Sequence, residues 1–327
     1  MKKLFLAIAA MLAMTACGGA NASNESAPAP AEKDSVATVY FIKEITPENI
    51  MKAYEALGRK AEGKVAVKLS TGEAGNPNHL DPQLIKDLVQ SVGGTIVECN
   101  TAYGGQRSNT KDHMKVAEEH GFTAIAPVHI MDADGQVELP IAGGKHLKSD
   151  IVGKEFLAYD FLMVLSHFKG HPMAGMGGAL KNISIGIASS DGKANIHSAG
   201  KSSDPNKAWG MIPADSVFQE SMAEASKAII DHMTPAKTLY ISVANNLSVD
   251  CDCVSHPAPV EMADLGIFAS LDPVAVDQAC YDAVKNSPDH GKKHLLERIH
   301  SKDALHLLEY GEEIGLGTRK YNLVELK

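Results

Sequence analysis

The feature that most constrains the fold of this chain is a regular alternation of short apolar runs with helices that open on a capping residue followed by proline. Residues 37–42 read as a strand, Thr46 can cap a helix with Pro47 at its first position running to about residue 60, and residues 64–69 are strand-like again. Asp81 and Pro82 open a second helix that ends at Gly93 and Gly94, residues 95–99 form a third strand, and a third helix follows over residues 111–120. Strands separated by helices of this length imply βαβ units. The expected fold is therefore α/β, with a largely parallel sheet flanked by helices.

The middle of the chain is less regular. Residues 128–131 and 136–139 flank Asp132, Ala133, Asp134 and Gly135, a turn signal that predicts a hairpin. Residues 160–165 read as a buried strand, and Gly175, Gly177 and Gly178 precede Ala179, Leu180, Lys181 and Asn182, where small residues allow close approach of a ligand. Residues 189–209 are polar and rich in Gly, Ser, Lys and Asn, which predicts a long loop. The pattern then returns to α/β: a long helix to about residue 233, strands over 238–244 and 264–270, and a helix capped by Asp272 with Pro273 next. Cys280 falls on the apolar side of that helix, as a small core residue. Two further helices, over 292–300 and 304–313, precede a terminal strand at 321–326. A core over residues 36–327 is expected, with a second α/β portion packed beside the first and a boundary near 125–160.

The N-terminus reads as an export signal. Lys2 and Lys3 precede an apolar stretch over residues 4–14, too short for a stable membrane-spanning helix, and Thr15 and Ala16 lead to Cys17. The join Met14, Thr15, Ala16, Cys17 resembles the cleavage box of bacterial lipoproteins, in which the cysteine is lipidated, although Met14 stands where leucine is usual. Residues 1–16 are thus expected to be a signal peptide, Cys17 the lipidation site, and residues 17–35, which lack any apolar cluster, a flexible tether. A non-lipidated secretory signal is the alternative. The expected location is the cell envelope, anchored to the membrane and facing the periplasm or exterior.

Loss of Lys2 and Lys3 would leave 29 of the 31 basic residues against 40 acidic ones, near −11, which argues against nucleic acid as a partner. Beyond Cys17 the cysteines are Cys99, Cys251, Cys253 and Cys280. A bridge between Cys251 and Cys253 would close a very small ring, so metal ligation or a redox-active pair is the more informative reading.

Two chemically dense segments each follow an apolar run, where open α/β sheets place ligands: Ser166, His167, Phe168, Lys169, Gly170, His171, and Asp250, Cys251, Asp252, Cys253 with His256 close behind. Alternate residues of an extended segment share a side, so both thiols could face one metal while Asp250 and Asp252 hydrogen-bond around them. His167 and His171 are candidate co-ligands and Cys99 a third thiol if the strands are neighbours. Redox thiol chemistry and plainly buried cysteines remain open beside metal binding.

These motifs together, with Gly177–Asn182, residues 264–278, Val67 to Leu69 and residues 98–103, resemble the bacterial and archaeal family catalogued as domain of unknown function 362, over residues 36–287. Many members carry a ferredoxin-like module with repeated cysteines, whose place here is taken by residues 197–211 without a cysteine. The resemblance thus implies no ferredoxin-type cluster. It places Lys68, His167, Lys169, His171, Lys181, Asp250, Cys251, Cys253 and Asp277 at motif positions.

The resulting expectation is a metal-dependent or redox site acting on a small anionic molecule. Cys251, Cys253, His167 and His171 would hold iron or zinc, Lys68, Lys169 and Lys181 would bind the anion, and Lys169, Lys181 and Asp277 would be the catalytic candidates. Without a ferredoxin module, electrons would come from an external partner. A non-catalytic metal- or ligand-binding lipoprotein is the competing expectation.

Overall fold

The computed structural model describes residues 36–327. Residues 1–35, on which the expected signal peptide, the expected lipidation at Cys17 and the expected tether fall, lie outside the described residues. The first third follows the sequence pattern. β1 (Ala37–Ile42) leads to α1 (Pro47–Ala56), where Thr46 Oγ1 accepts the Asn49 N–H at 3.2 Å. After β2 (Val65–Lys68), α2 (Pro82–Ser91) starts with Asp81 Oδ1 accepting the Gln83 N–H at 2.8 Å. β3 (Thr95–Glu98), α3 (Thr110–Glu119) and β4 (Val128–Ile130) complete this part.

Next come β5 (Gln136–Pro140), β6 (Ser149–Gly153), β7 (Phe161–His167), β8 (Lys169–His171) and β9 (Gly175–Gly177). The helices α4 (Ala179–Ile187), α5 (Ser190–His197), α6 (Pro205–Ala208) and α7 (Asp215–Met233) then precede β10 (Thr238–Ala244) and β11 (Gly266–Ser270). The chain closes with α8 (Pro273–Asn286), α9 (Lys292–Ser301), α10 (Ala304–Glu313) and β12 (Tyr321–Glu325).

Eight strands form one sheet in the order β12-β1-β11-β10-β7-β2-β3-β4. Of its seven neighbouring pairs five are parallel, and the two antiparallel ones both involve β11. Every other strand consequently points the same way. The portions on either side of residues 125–160 share this sheet, because β7 pairs with β2 on one side and β10 on the other. Helices cover both faces: Ile50, Ile85, Val89 and Ala117 pack on one, and Leu180, Met222, Ile229, Val276 and Leu307 on the other.

Two local expectations are corrected. The hairpin predicted around Asp132–Gly135 does not form: β4, whose Val128 and Ile130 are buried, joins the main sheet beside β3, and the more polar β5 pairs with β6. The loop expected over residues 189–209 contains α5 and α6. Ser189 Oγ starts α5 by accepting the Gly192 N–H at 3.1 Å, and Ala194 and Ile196 bury it against the core. No described helix is long and apolar enough to cross a membrane.

Candidate functional site

Crossovers from β2 run outward through β3 to β4 with helices on one face. Those from β7 run the other way to β10 with helices on the opposite face. The direction of winding therefore switches between β2 and β7, and the carboxyl ends of neighbouring strands part there to leave a crevice. Lys68, Glu98 and His167 are the last residues of β2, β3 and β7. They line a cavity of about 340 Å³ together with Lys169, His171, Lys181, Cys251 and Cys253.

The segment after β10 is bound to β8 along its backbone, with the Gly170 N–H donating to Ser248 O at 2.8 Å. A Cβ on Gly170 would lie 2.3 Å from Val249 O, so only glycine lets the two dense motifs touch. Asp252 then ties them together. Its Oδ1 meets His167 Nδ1 at 2.8 Å and its Oδ2 accepts from Lys169 Nζ at 2.6 Å. Burial alone would raise the Asp252 carboxyl, yet the charges of Lys169 and His167 and the hydrogen bonds from both outweigh it and hold the group well below the usual carboxylate range. The other His167 nitrogen, Nε2, faces Asn245 O at 2.6 Å. This corrects the expectation for His167: both nitrogens face oxygens and neither is turned to the thiols.

His171, four residues on, is separated from His167 by Phe168 and lies on a different strand. Its Nδ1 accepts the N–H groups of Met173 and Ala174 at 3.1 and 2.9 Å. That network assigns the proton of the neutral ring to Nε2, which faces Cys253 Sγ at 3.7 Å. Burial, reinforced by Lys181, lowers the His171 imidazole to about 4, so the ring is neutral at pH 7. Potential ligand atoms of His171, Cys251 and Cys253 lie within 4.8 Å of one another, and the group could hold a metal ion. The two thiols suit a soft or borderline ion. His171 would ligate through Nε2 only by moving its proton to Nδ1 and giving up two backbone bonds; as it stands it is a hydrogen-bond donor to sulfur.

The thiols titrate together. Burial works to raise Cys251, but its hydrogen bond with Cys253, the Lys181 ammonium and His171 prevail and hold it well below the usual thiol range. Cys253 is pushed well up, first by the same hydrogen bond and then by burial. The Cys253 N–H also donates to Cys251 Sγ at 3.3 Å. A single thiolate centred on Cys251 is thus stabilised from three sides.

The remaining candidates separate. Lys68, 1% exposed, pairs with Glu98 at 3.0 Å, and Glu98 also accepts from Thr71 and Arg107. Burial raises Glu98 while Lys68 and Arg107 bring it down to about 2. Lys68 is therefore already neutralised. Lys181 sits in the first turn of α4, lines the cavity, and among the described residues has no carboxylate within ion-pair distance. Asp277 is corrected: it is 1% exposed, lies outside the cavity lining, and caps α4 by accepting the Ala179 and Leu180 N–H groups at 2.7 and 3.0 Å. A Cβ on Gly178 would fall 2.3 Å from its Oδ1, which accounts for the glycine preceding α4. Cys99 lines the cavity, but its Sγ donates to Ile187 O at 3.1 Å and it does not join the Cys251 group.

Sequence reasoning does not single out Lys193, His197 and Arg107, which also line the cavity. Lys193 and His197 lie in the segment whose composition predicts a loop. Their spacing of four is the available signal, and the polar composition masks it.

No curated protein matches the chain. Among solved structures it is similar to the lactate racemase apoprotein from Thermoanaerobacterium thermosaccharolyticum, with 18% identity, a TM-score of 0.37, and coverage of 64% of this chain and 50% of that one. It is also similar to a crystal structure of a protein from Thermotoga maritima, with 14% identity, a TM-score of 0.42, and coverage of 73% of this chain and 58% of that one. The chain thus spans about half the length of these structures. Residues 65–282, well over half of the chain, match the family described as Domain of unknown function (DUF362), and the chain belongs to that family.

Proposed function

We propose that the protein carries a thiolate centre, Cys251 with Cys253, that binds iron or zinc and acts on a small anionic molecule held in the adjoining cavity. The observation that carries this reading is the convergence of the buried Cys251 sulfur, the partly exposed Cys253 sulfur and the His171 ring within 4.8 Å at the edge of a cavity that Lys181 also lines. Cys251 and Cys253 would hold the ion, His171 would donate its Nε2 proton to sulfur, and Lys181 would attract the anion. A bound ion would supply Lewis-acid or electron-transfer chemistry. Elemental analysis of protein purified anaerobically tests this: stoichiometric iron or zinc, lost in Cys251→Ser and Cys253→Ser, is expected. A metal-free wild type with free thiols would overturn it.

A second reading is favoured by the His171 tautomer and the Cys253 N–H, which stabilise a thiolate without any metal. In it the Cys251 thiolate and Cys253 thiol form a disulfide, passing two electrons and one proton to an external electron-transfer partner. A metal-free protein with an oxidised pair would favour it. The sequence of residues 1–17 further supports export and a lipid anchor at Cys17, and Cys17→Ser should release the chain from the membrane fraction. Retention there would refute the anchor.

A further inference from the structure

α5 brings two buried side chains to the cavity that the thiolate centre leaves unused. Lys193 and His197 are each 6% exposed, both line the cavity, and stand four residues apart on one helical face, with Cβ atoms about 5–6 Å apart. His197 Nδ1 lies 2.7 Å from Lys193 O. A carbonyl can only accept, so Nδ1 carries the proton and the lone pair of the neutral ring is on Nε2. Burial, against the pull of the Lys193 carbonyl, lowers His197 to about 3, which keeps the ring neutral. Phe218 and Trp209 hold it in place, at centroid separations of 4.9 and 5.2 Å. Among the described residues no group donates to Nε2.

Lys193 Nζ donates to Ala188 O at 2.5 Å and Cys99 O at 3.5 Å, which leaves one N–H. Among the described residues no carboxylate lies within ion-pair distance of it. The carboxyl whose titration it influences, Asp150, is raised to about 8 by burial despite Lys193, and the Cys99 thiol it also influences is pushed up to about 12, so both are largely neutral at pH 7. The ammonium charge is therefore not cancelled. A buried cationic donor and a neutral acceptor thus stand one helical turn apart on the cavity wall.

We propose that Lys193 and His197 recognise a hydroxycarboxylate, with the carboxylate on Lys193 Nζ and the hydroxyl donating to His197 Nε2. A hydroxyl fits better than an ammonium, because Lys181 and Lys193 repel a further cation in the same cavity. This inference rests on the reading of the cavity as a site for a small anion, and it deepens that reading by naming the class.

The test is titration calorimetry of the full chain as purified against L-malate, D-malate and lactate and against the deoxy analogues succinate and propionate. At least one hydroxy acid should bind roughly tenfold or more tighter than its deoxy counterpart, since an unmet buried acceptor penalises the analogue that lacks the donor. His197→Phe should abolish that preference and keep deoxy affinity, His197→Gln, which retains an acceptor, should restore part of it, and Lys193→Met should weaken all of them. Equal binding of hydroxy and deoxy acids, or a preference that survives His197→Phe, overturns the inference and leaves the anion reading standing. Binding of no carboxylate overturns both. Metal content is measured separately, so its absence would touch only the thiolate reading.

Discussion

Replacing Asp252 with asparagine should be among the most damaging isosteric changes in this protein. The carboxylate is 1% exposed and its two oxygens bridge His167 and Lys169, which are 3% and 6% exposed. The substituted amide would keep the volume but lose the charge, so that the buried Lys169 ammonium would be left with an uncharged acceptor at best. Removing one partner of a buried pair costs about 3–5 kcal/mol, because the other charge is left uncompensated. Total stabilities are only about 5–15 kcal/mol, so the loss is a large fraction of the whole. The exposed pair Lys115 and Glu119, 67% and 52% exposed, provides the contrast, since neutralising such a pair costs less than about 1 kcal/mol. Urea unfolding of wild type, Asp252→Asn and Glu119→Gln at pH 7 gives both numbers. The pH dependence has a definite sign. The folded carboxyl is depressed, so its contribution is present above the unfolded value near 4 and is lost as pH falls through the folded one. The gap between wild type and Asp252→Asn should accordingly narrow in acid. A loss below about 1 kcal/mol at pH 7, or a gap that is flat with pH, would show that Asp252 does not balance Lys169.

Asp150 should behave oppositely. Burial raises it to about 8 against the weaker opposing pull of Lys193 and the Ile151 N–H, so stability should fall as pH rises from about 4 to 8; Asp150→Asn should remove that slope, gaining a few kcal/mol at pH 8 in denaturation curves. An unchanged slope would show that Asp150 is not its source. Cys99, 2% exposed and pushed up to about 12 by burial, should resist iodoacetamide while the Cys251–Cys253 pair, which shares the thiolate, is modified first, as read by peptide mass spectrometry. Early labelling of Cys99 would contradict its placement. Gly178→Ala should displace the Asp277 cap and lower stability by about 1–3 kcal/mol, whereas unaltered unfolding would mean that the cap yields without cost.

The local sequence determined the elements whose causes are local. Thr46, Asp81 and Asp272 cap helices because each side chain reaches N–H groups two or three residues ahead, and Pro47, Pro82 and Pro273 have their φ set for the first turn. The parallel α/β class followed from the alternation they punctuate. The two dense segments were legible as motifs for the same reason. Tertiary structure alone decided strand order, and with it that β7 lies between β2 and β10, so that His167 and Asp252, 85 positions apart, share one crevice. Periodicity says which face of a strand is buried and is silent about its neighbours. The fate of the histidines was likewise a long-range matter: Asp252 and Asn245 take both nitrogens of His167, while the backbone after His171 fixes its tautomer and leaves Nε2 to the thiols. α5 is hidden from the sequence because its stability comes from burial against a core that no short window of residues contains. That packing is what turns Lys193 and His197 from polar loop residues into one wall of the cavity.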